Sequence, residues 1–155
     1  KNTRSLRFSR LLAKQSAEVT HNHPEGIKGA QAIASAIFLA RQHQPKENIR
    51  EYITRQFGYD MNRSCEDIRP DYDFDETCQG SCSEAIIAFL ESTDFENAIR
   101  LAISLGGDSD TIGAMTGGIA AAYYDIPDKI ARKALEYLPE DMIEVLNKFS
   151  DAVNR

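Results

Sequence analysis

Two aspartates and a threonine, Asp108, Asp110 and Thr111, stand directly behind the double glycine Gly106-Gly107. Carboxylate and hydroxyl oxygens at this spacing suit a hard divalent cation such as Mg²⁺ or Mn²⁺. In a turn that enters a helix, the three side chains can converge on one point. The segment that follows carries no charge as far as Tyr124 and is built largely from Gly113, Ala114, Gly117, Gly118, Ala120, Ala121 and Ala122. A helix of such small residues packs closely on its neighbours and would hold the acidic turn rigidly. Capping also places acidic residues at a helix start, where the backbone dipoles are positive, with Asp108 or Ser109 as N-cap. Capping alone, however, requires neither the double glycine nor the small-residue helix. An aspartate-nucleophile phosphatase signature fails here, because Ile112 stands where Thr or Val is needed and the preceding segment reads as a helix.

Two other clusters could do chemistry. In Thr20-His21-Asn22-His23-Pro24-Glu25-Gly26, the histidines could touch a ligand, bind metal or move protons. They could equally cap the chain turn. Joining them to Cys78 and Cys82 would not give a structural zinc site, since His-x-His and Cys-x₃-Cys are not the usual spacings. Asp71, Asp73, Asp75 and Glu76 resemble the start of a calcium loop. The sixth position is Glu76 in place of Gly, and the twelfth is Cys82 in place of Glu, so solvated loop charge is the better reading.

The elements that must position these residues read as helices. Periodicity predicts helices from about Thr3 to Val19, with Leu6, Leu11, Leu12 and Val19 near one face, and from Pro24 to about His43. The second has a broad apolar face and Pro24 in its first turn. Pro45 opens a third helix that runs to Phe57, and Gly58 ends it. Residues 58–83 are polar, hold all three cysteines and read as a long loop with short helical turns. Helix returns from Ser83 to Glu91. Thr93 and Glu96 suggest a capping box for the next helix, which ends at Leu105 before Gly106-Gly107. The small-residue helix spans Ser109 to Tyr124, and Pro127 and Pro139 start two more. No strand alternation occurs, so the class is all-α.

The chain has 155 residues, enough for one domain with a real core. Its net charge of −6 disfavours a nucleic-acid partner held by bulk electrostatics. No apolar run approaches a membrane span, and no signal peptide is visible. Three cysteines, sparse and odd in number, suit reduced thiols and a cytoplasmic location. A start at Lys1 instead of Met suggests that something upstream has been removed or that the chain was cut.

Three blocks together resemble the ADP-ribosylglycohydrolase family, the all-α enzymes related to dinitrogenase reductase-activating glycohydrolase. They are VTHNHPEGIKGA (Val19 to Ala30), TCQGSCSEAIIAFL (Thr77 to Leu90) and SLGGDSDTIGAMTGGIAAAYY (Ser104 to Tyr124). The resemblance covers essentially the whole chain and corresponds to the C-terminal part of a typical member. It implies a compact multi-helix bundle lacking the family's N-terminal helices, as a single domain over residues 1–155. It implies hydrolysis of the glycosidic bond between ADP-ribose and a protein side chain or related acceptor, at a site of two Mg²⁺ or Mn²⁺ ions. By the same resemblance Asp108, Asp110 and Thr111 are metal ligands, Asp110 bridges both ions, and Asp108 and Asp110 are the catalytic carboxylates. His21 would contact bound ADP-ribose, and His23 would have a structural role at the helix start.

The departures are equally informative. The family completes its site with an N-terminal Thr-Asp-Asp cluster, and no such triplet occurs in this chain. Asp60 and Asp67 are isolated, and the glycine-rich segments that help hold the diphosphate are missing too. The expected partners are therefore ADP-ribose or an ADP-ribosylated protein, together with a separate N-terminal fragment or a second copy of the chain. The competing expectation is a non-catalytic ADP-ribose-binding or assembly module.

Overall fold

In a computed structural model of the protein, residues 5–73 and 77–153 are described. Among them every regular element is a helix, as the sequence predicts. The chain divides into two units, residues 1–125 and 126–155. The first contains α1 (Leu6–Ala17), α2 (Pro24–Ala40), α3 (Lys46–Phe57), α4 (Cys65–Ile68), α5 (Cys78–Glu91), α6 (Phe95–Ser104) and α7 (Ser109–Tyr123). The second contains α8 (Asp128–Leu135) and α9 (Glu140–Val153), following the two prolines that mark their starts.

The first unit is organised around α5, whose residues Ala85 to Phe89 are completely buried. Helices α2, α4, α6 and α7 all pack on it, and α2 also packs on α1, α3 and α7. Side-chain register fixes the directions. A Cβ built on Gly29 of α2 would meet Cys82 of α5, and the Cys82 thiol contacts Met115 of α7. Further along, a Cβ on Gly118 would meet Ile37, the Thr116 hydroxyl donates to the Ala85 carbonyl at 3.0 Å, and Phe89 meets Tyr123. Rising numbers therefore match rising numbers: α2, α5 and α7 run parallel. Helix α6 runs antiparallel to α7, since Gly113 faces Ile103 and Gly117 faces Ile99. The glycines allow a close crossing: a methyl there would stand 3.3 and 3.1 Å from isoleucine Cδ1 atoms, which would have to shift slightly.

One cation closes the C-terminal end of α5. The Lys46 ammonium donates to the carbonyls of Phe89 (2.8 Å), Leu90 (3.2 Å) and Ser92. It also lies 4.9 Å from the Phe89 ring and 5.3 Å from the Tyr124 ring. The last carbonyls of a helix have no intrahelical partners and carry negative partial charge, so a buried-side ammonium both satisfies and neutralises them. The Tyr124 hydroxyl adds a bond to the Ser92 carbonyl at 2.8 Å.

Several boundaries differ from the sequence reading. Helix α5 begins at Cys78 instead of Ser83, because the Thr77 side chain caps it by accepting from the Gly80 N–H. Its polar first turns are buried by α2 and α7, which overrides their weak helical signal. The cap of α6 is Asp94 instead of Thr93: its carboxylate accepts from the Asn97 N–H at 2.8 Å. Glu96 does not close a capping box and pairs with Arg100. Helix α2 stops at Ala40, and His43 beyond it takes a left-handed φ of 49°. Gly58 ends α3 in the left-handed region, as expected. The amphipathic α1 buries no residue: Leu11 and Leu12 stay half exposed, and Val19 lies beyond its end, exposed. The start proposed at Thr3 lies outside the described residues. No helix among the described residues is long and apolar enough to cross a membrane.

Replacing Lys46 by Met should lower stability by about 2 kcal/mol, the scale of hydrogen bonds made by a charged group. Urea unfolding of the two proteins measures this, and an unchanged midpoint would show that the α5 C-terminus does not depend on this ammonium.

Candidate active site

The parallel order of α2, α5 and α7 brings their N-termini to one end of the first unit. His21 and His23 lie at the start of α2, Thr77 at the start of α5, and Asp108 at the start of α7. Helix N-termini carry unsatisfied N–H groups and positive partial charge. This end therefore favours anionic groups, whether carboxylates of the chain or oxygens of a ligand.

The acidic turn is built by its two glycines. Gly106 and Gly107 adopt φ of 81° and 58°, which reverse the chain between antiparallel α6 and α7. At Gly107 there is also no room for a side chain: a Cβ would stand 2.6 Å from a Tyr72 ring carbon and 3.0 Å from the Asp73 carbonyl oxygen. The Tyr72 hydroxyl donates to the Gly80 carbonyl at 2.9 Å. Tyr72 thus ties the acidic turn to the first turn of α5. The loop bearing Tyr72 is itself fastened, by an Arg63–Glu84 ion pair of 2.6 Å and by Arg69 donating to the Ser104 carbonyl at 3.1 Å. Ser64 and Asp67 form a capping box that starts α4.

Asp108 is the N-cap residue of α7, but its side chain makes no capping bond, so its oxygens are not spent on the helix. The Asp110 carboxylate accepts from the Thr111 N–H at 3.0 Å. Its pKa lies below the ordinary carboxylate value, first through a hydrogen bond with the Asp108 carboxyl and then through the Thr111 N–H. The two carboxyl groups therefore lie close together at the start of the helix. Asp110 and Thr111 are exposed and Asp108 is half-buried. These oxygen donors fit a hard divalent ion that draws its remaining ligands from elsewhere. Among the described residues, no three His, Cys, Asp or Glu side chains gather around one ion.

The two histidines differ in their surroundings. The His23 ring accepts from the Glu25 N–H at 3.3 Å and caps α2. His21 is exposed, with its Nδ1 2.8 Å from the Thr20 hydroxyl, which orients the ring. Gly26 lets the first turn of α2 lie against His21, since a Cβ there would stand 3.0 Å from the His21 carbonyl oxygen. The histidine pair and the acidic turn thus share one end of the unit. Of the calcium-like cluster, Asp71 and Asp73 are exposed, while Asp75 and Glu76 lie outside the described residues. Sequence reasoning did not single out Tyr72. Its only sequence signal is an aromatic residue inside an acidic loop, and its partner Gly107 is distant in the chain.

The comparisons with known proteins agree with one another. The sequence profile of the ADP-ribosylglycohydrolases matches residues 6–155. A protein of Archaeoglobus fulgidus with no assigned activity is 32% identical over 141 residues, covering 81% of this chain and 46% of that protein. The ADP-ribosylarginine hydrolase Tri1 of Pseudomonas putida is 28% identical over 119 residues, covering 71% of this chain and 31% of that enzyme. A solved structure described as an ADP-ribosylglycohydrolase-related protein complex superposes with a TM-score of 0.64 at 30% identity. It covers 79% of this chain and 46% of the matched one. The chain thus spans less than half the length of each of these proteins.

Gly107→Ala should destabilise the protein more than Gly106→Ala. Both force an L-residue into positive φ, a cost of more than about 1 kcal/mol, but nothing lies within 4 Å of a Cβ at Gly106. Thermal unfolding of the two variants gives the order. Equal losses would show that Tyr72 does not pack on this turn.

Proposed function

The chain belongs to the ADP-ribosylglycohydrolase family, and from that premise we propose that it forms one half of a metal-dependent site that removes ADP-ribose from modified protein side chains. The observation that carries this reading is the convergence of the Asp108 and Asp110 carboxyls at the start of α7, at the end of the unit that also bears His21. In this reading Asp108, Asp110 and Thr111 hold Mg²⁺ or Mn²⁺ through their carboxylate and hydroxyl oxygens. Bound divalent ions supply Lewis-acid polarisation of the sugar hydroxyls and of an attacking water. His21, oriented by Thr20, donates to or accepts from the ADP-ribose. The N-termini of α2, α5 and α7 offer N–H groups and positive potential to the diphosphate. As the C1″ bond opens, positive charge develops on the ribose, and the carboxylates of the acidic turn stabilise it.

The Thr-Asp-Asp triplet that completes the family's site is not in this sequence. Turnover in this reading draws a second set of acidic ligands from residues outside this sequence, N-terminal to it or in a further copy of the chain. The name of the Tri1 relative makes ADP-ribosylarginine the first substrate to assay. A second reading is an ADP-ribose-binding module without turnover.

Calorimetric titration of the 155-residue chain with ADP-ribose, with and without Mg²⁺ or Mn²⁺, tests the site. Binding should depend on the metal and weaken by at least about tenfold in Asp110→Ala, since even outer-shell changes cost metal sites about 10–100-fold. His21→Ala should weaken ADP-ribose binding while sparing the metal. Absence of binding under every condition would overturn the half-site. If binding is seen, adding an N-terminal half carrying Thr-Asp-Asp separates the readings, because only a glycohydrolase then releases ADP-ribose.

A further inference from the structure

A second cluster lies where α2, α5 and α7 meet, and the acidic turn does not use it. Cys78 and Cys82 are four residues apart on α5, so they share one face, one helical turn apart. Both sulfurs approach the same spot above Gly29 of α2. A Cβ there would stand 2.8 Å from the Cys82 sulfur and 3.4 Å from the Cys78 sulfur. The Cys82 thiol also hydrogen-bonds with Cys78 and lies 3.8 Å from the Met115 sulfur of α7. Three sulfur atoms from two helices therefore lie together, two of them against the bare backbone of Gly29.

We propose that Cys78, Cys82 and Met115 form a binding site for one soft monovalent cation, Cu(I), held by two thiolates and a thioether. Soft thiolate and thioether donors suit Cu(I), zinc and iron–sulfur clusters. Three sulfurs around an ion at about 2.3 Å, the usual metal–thiolate length, stand about 4 Å from one another, close to the Cys82–Met115 separation. Zinc is a poorer fit, because its structural sites take four ligands from Cys, His, Asp and Glu, and among the described residues no third residue of those types joins the pair. Binding forms three Cu–S bonds and releases the two thiol protons to solvent, leaving a site of net charge −1. Affinity should therefore rise with pH. Cys78 and Met115 are only half-buried, which gives the ion a way in. The third thiol, Cys65, is engaged elsewhere, with Glu91. The inference does not depend on the ADP-ribose reading.

The test is anaerobic titration of the reduced 155-residue chain with Cu(I), in competition with the chromogenic chelator bathocuproine disulfonate. One Cu(I) per chain should bind, with a sulfur-to-copper charge-transfer band in the ultraviolet. Cys78→Ser and Met115→Leu should each weaken binding by at least about tenfold, and Cys65→Ser should leave it unchanged. Met115→Leu keeps side-chain volume and Cys78→Ser alters a half-buried position, so both should retain the helical circular dichroism of the parent. Binding unaffected by both substitutions, or lost only with Cys65, would overturn the site.

Discussion

Close approach between α7 and its neighbours is the constraint on which the rest of the first unit depends. Gly113, Gly117 and Gly118 let α6 and α2 come within contact of the α7 surface, and the buried Thr116 hydroxyl satisfies the Ala85 carbonyl of α5. Bulky residues at these crossings would push on Ile99, Ile103 and Ile37, and dense interiors do not absorb such changes without loss. With the spacing fixed, α2, α5 and α7 run side by side in the same direction.

That shared direction polarises the unit. At one end three helix N-termini meet, and there the chain places Asp108, Asp110 and an oriented His21. At the other end the C-terminal carbonyls of α5 meet the Lys46 ammonium, under the rings of Phe89, Tyr123 and Tyr124. Each end carries the side-chain charge that its backbone dipoles favour. The acidic end, however, concentrates two carboxyls beyond what capping needs, since the Asp108 side chain makes no capping bond. That separates this helix start from those of α1 and α5, where the Ser5 and Thr77 side chains cap.

The segment between α3 and α5 serves the same end of the molecule. Its polar composition suggests a loose loop, yet it is anchored at each stage. Arg50 donates to the Met61 carbonyl, Arg63 pairs with the buried Glu84, and the Cys65 N–H donates to Glu91. Breaking a buried pair leaves an uncompensated charge, so Glu84 binds the loop to α5 more firmly than an exposed pair would. The loop then delivers Tyr72 onto Gly107 and positions the acidic turn from outside the helical core.

The sequence by itself determined the all-helical class, most helix ends and the family, because these rest on local signals: periodicity, prolines at starts, glycines at stops and a contiguous acidic motif. It also identified Asp108, Asp110, Thr111 and His21 as site candidates, and it assigned His23 to the helix start. Tertiary structure decided what local signals cannot carry. The first turns of α5 are rich in Ser, Gly and Cys and read as loop, but burial against Gly29 and capping by Thr77 make them helix. Capping by Asp94 in place of Thr93 turned on which side-chain oxygen reached the Asn97 N–H. The parallel order of α2, α5 and α7, the seating of Tyr72 on Gly107 and the meeting of three sulfurs all join residues far apart in the chain. Such contacts form only when packing sets the distance between helices, and no spacing within one segment encodes it.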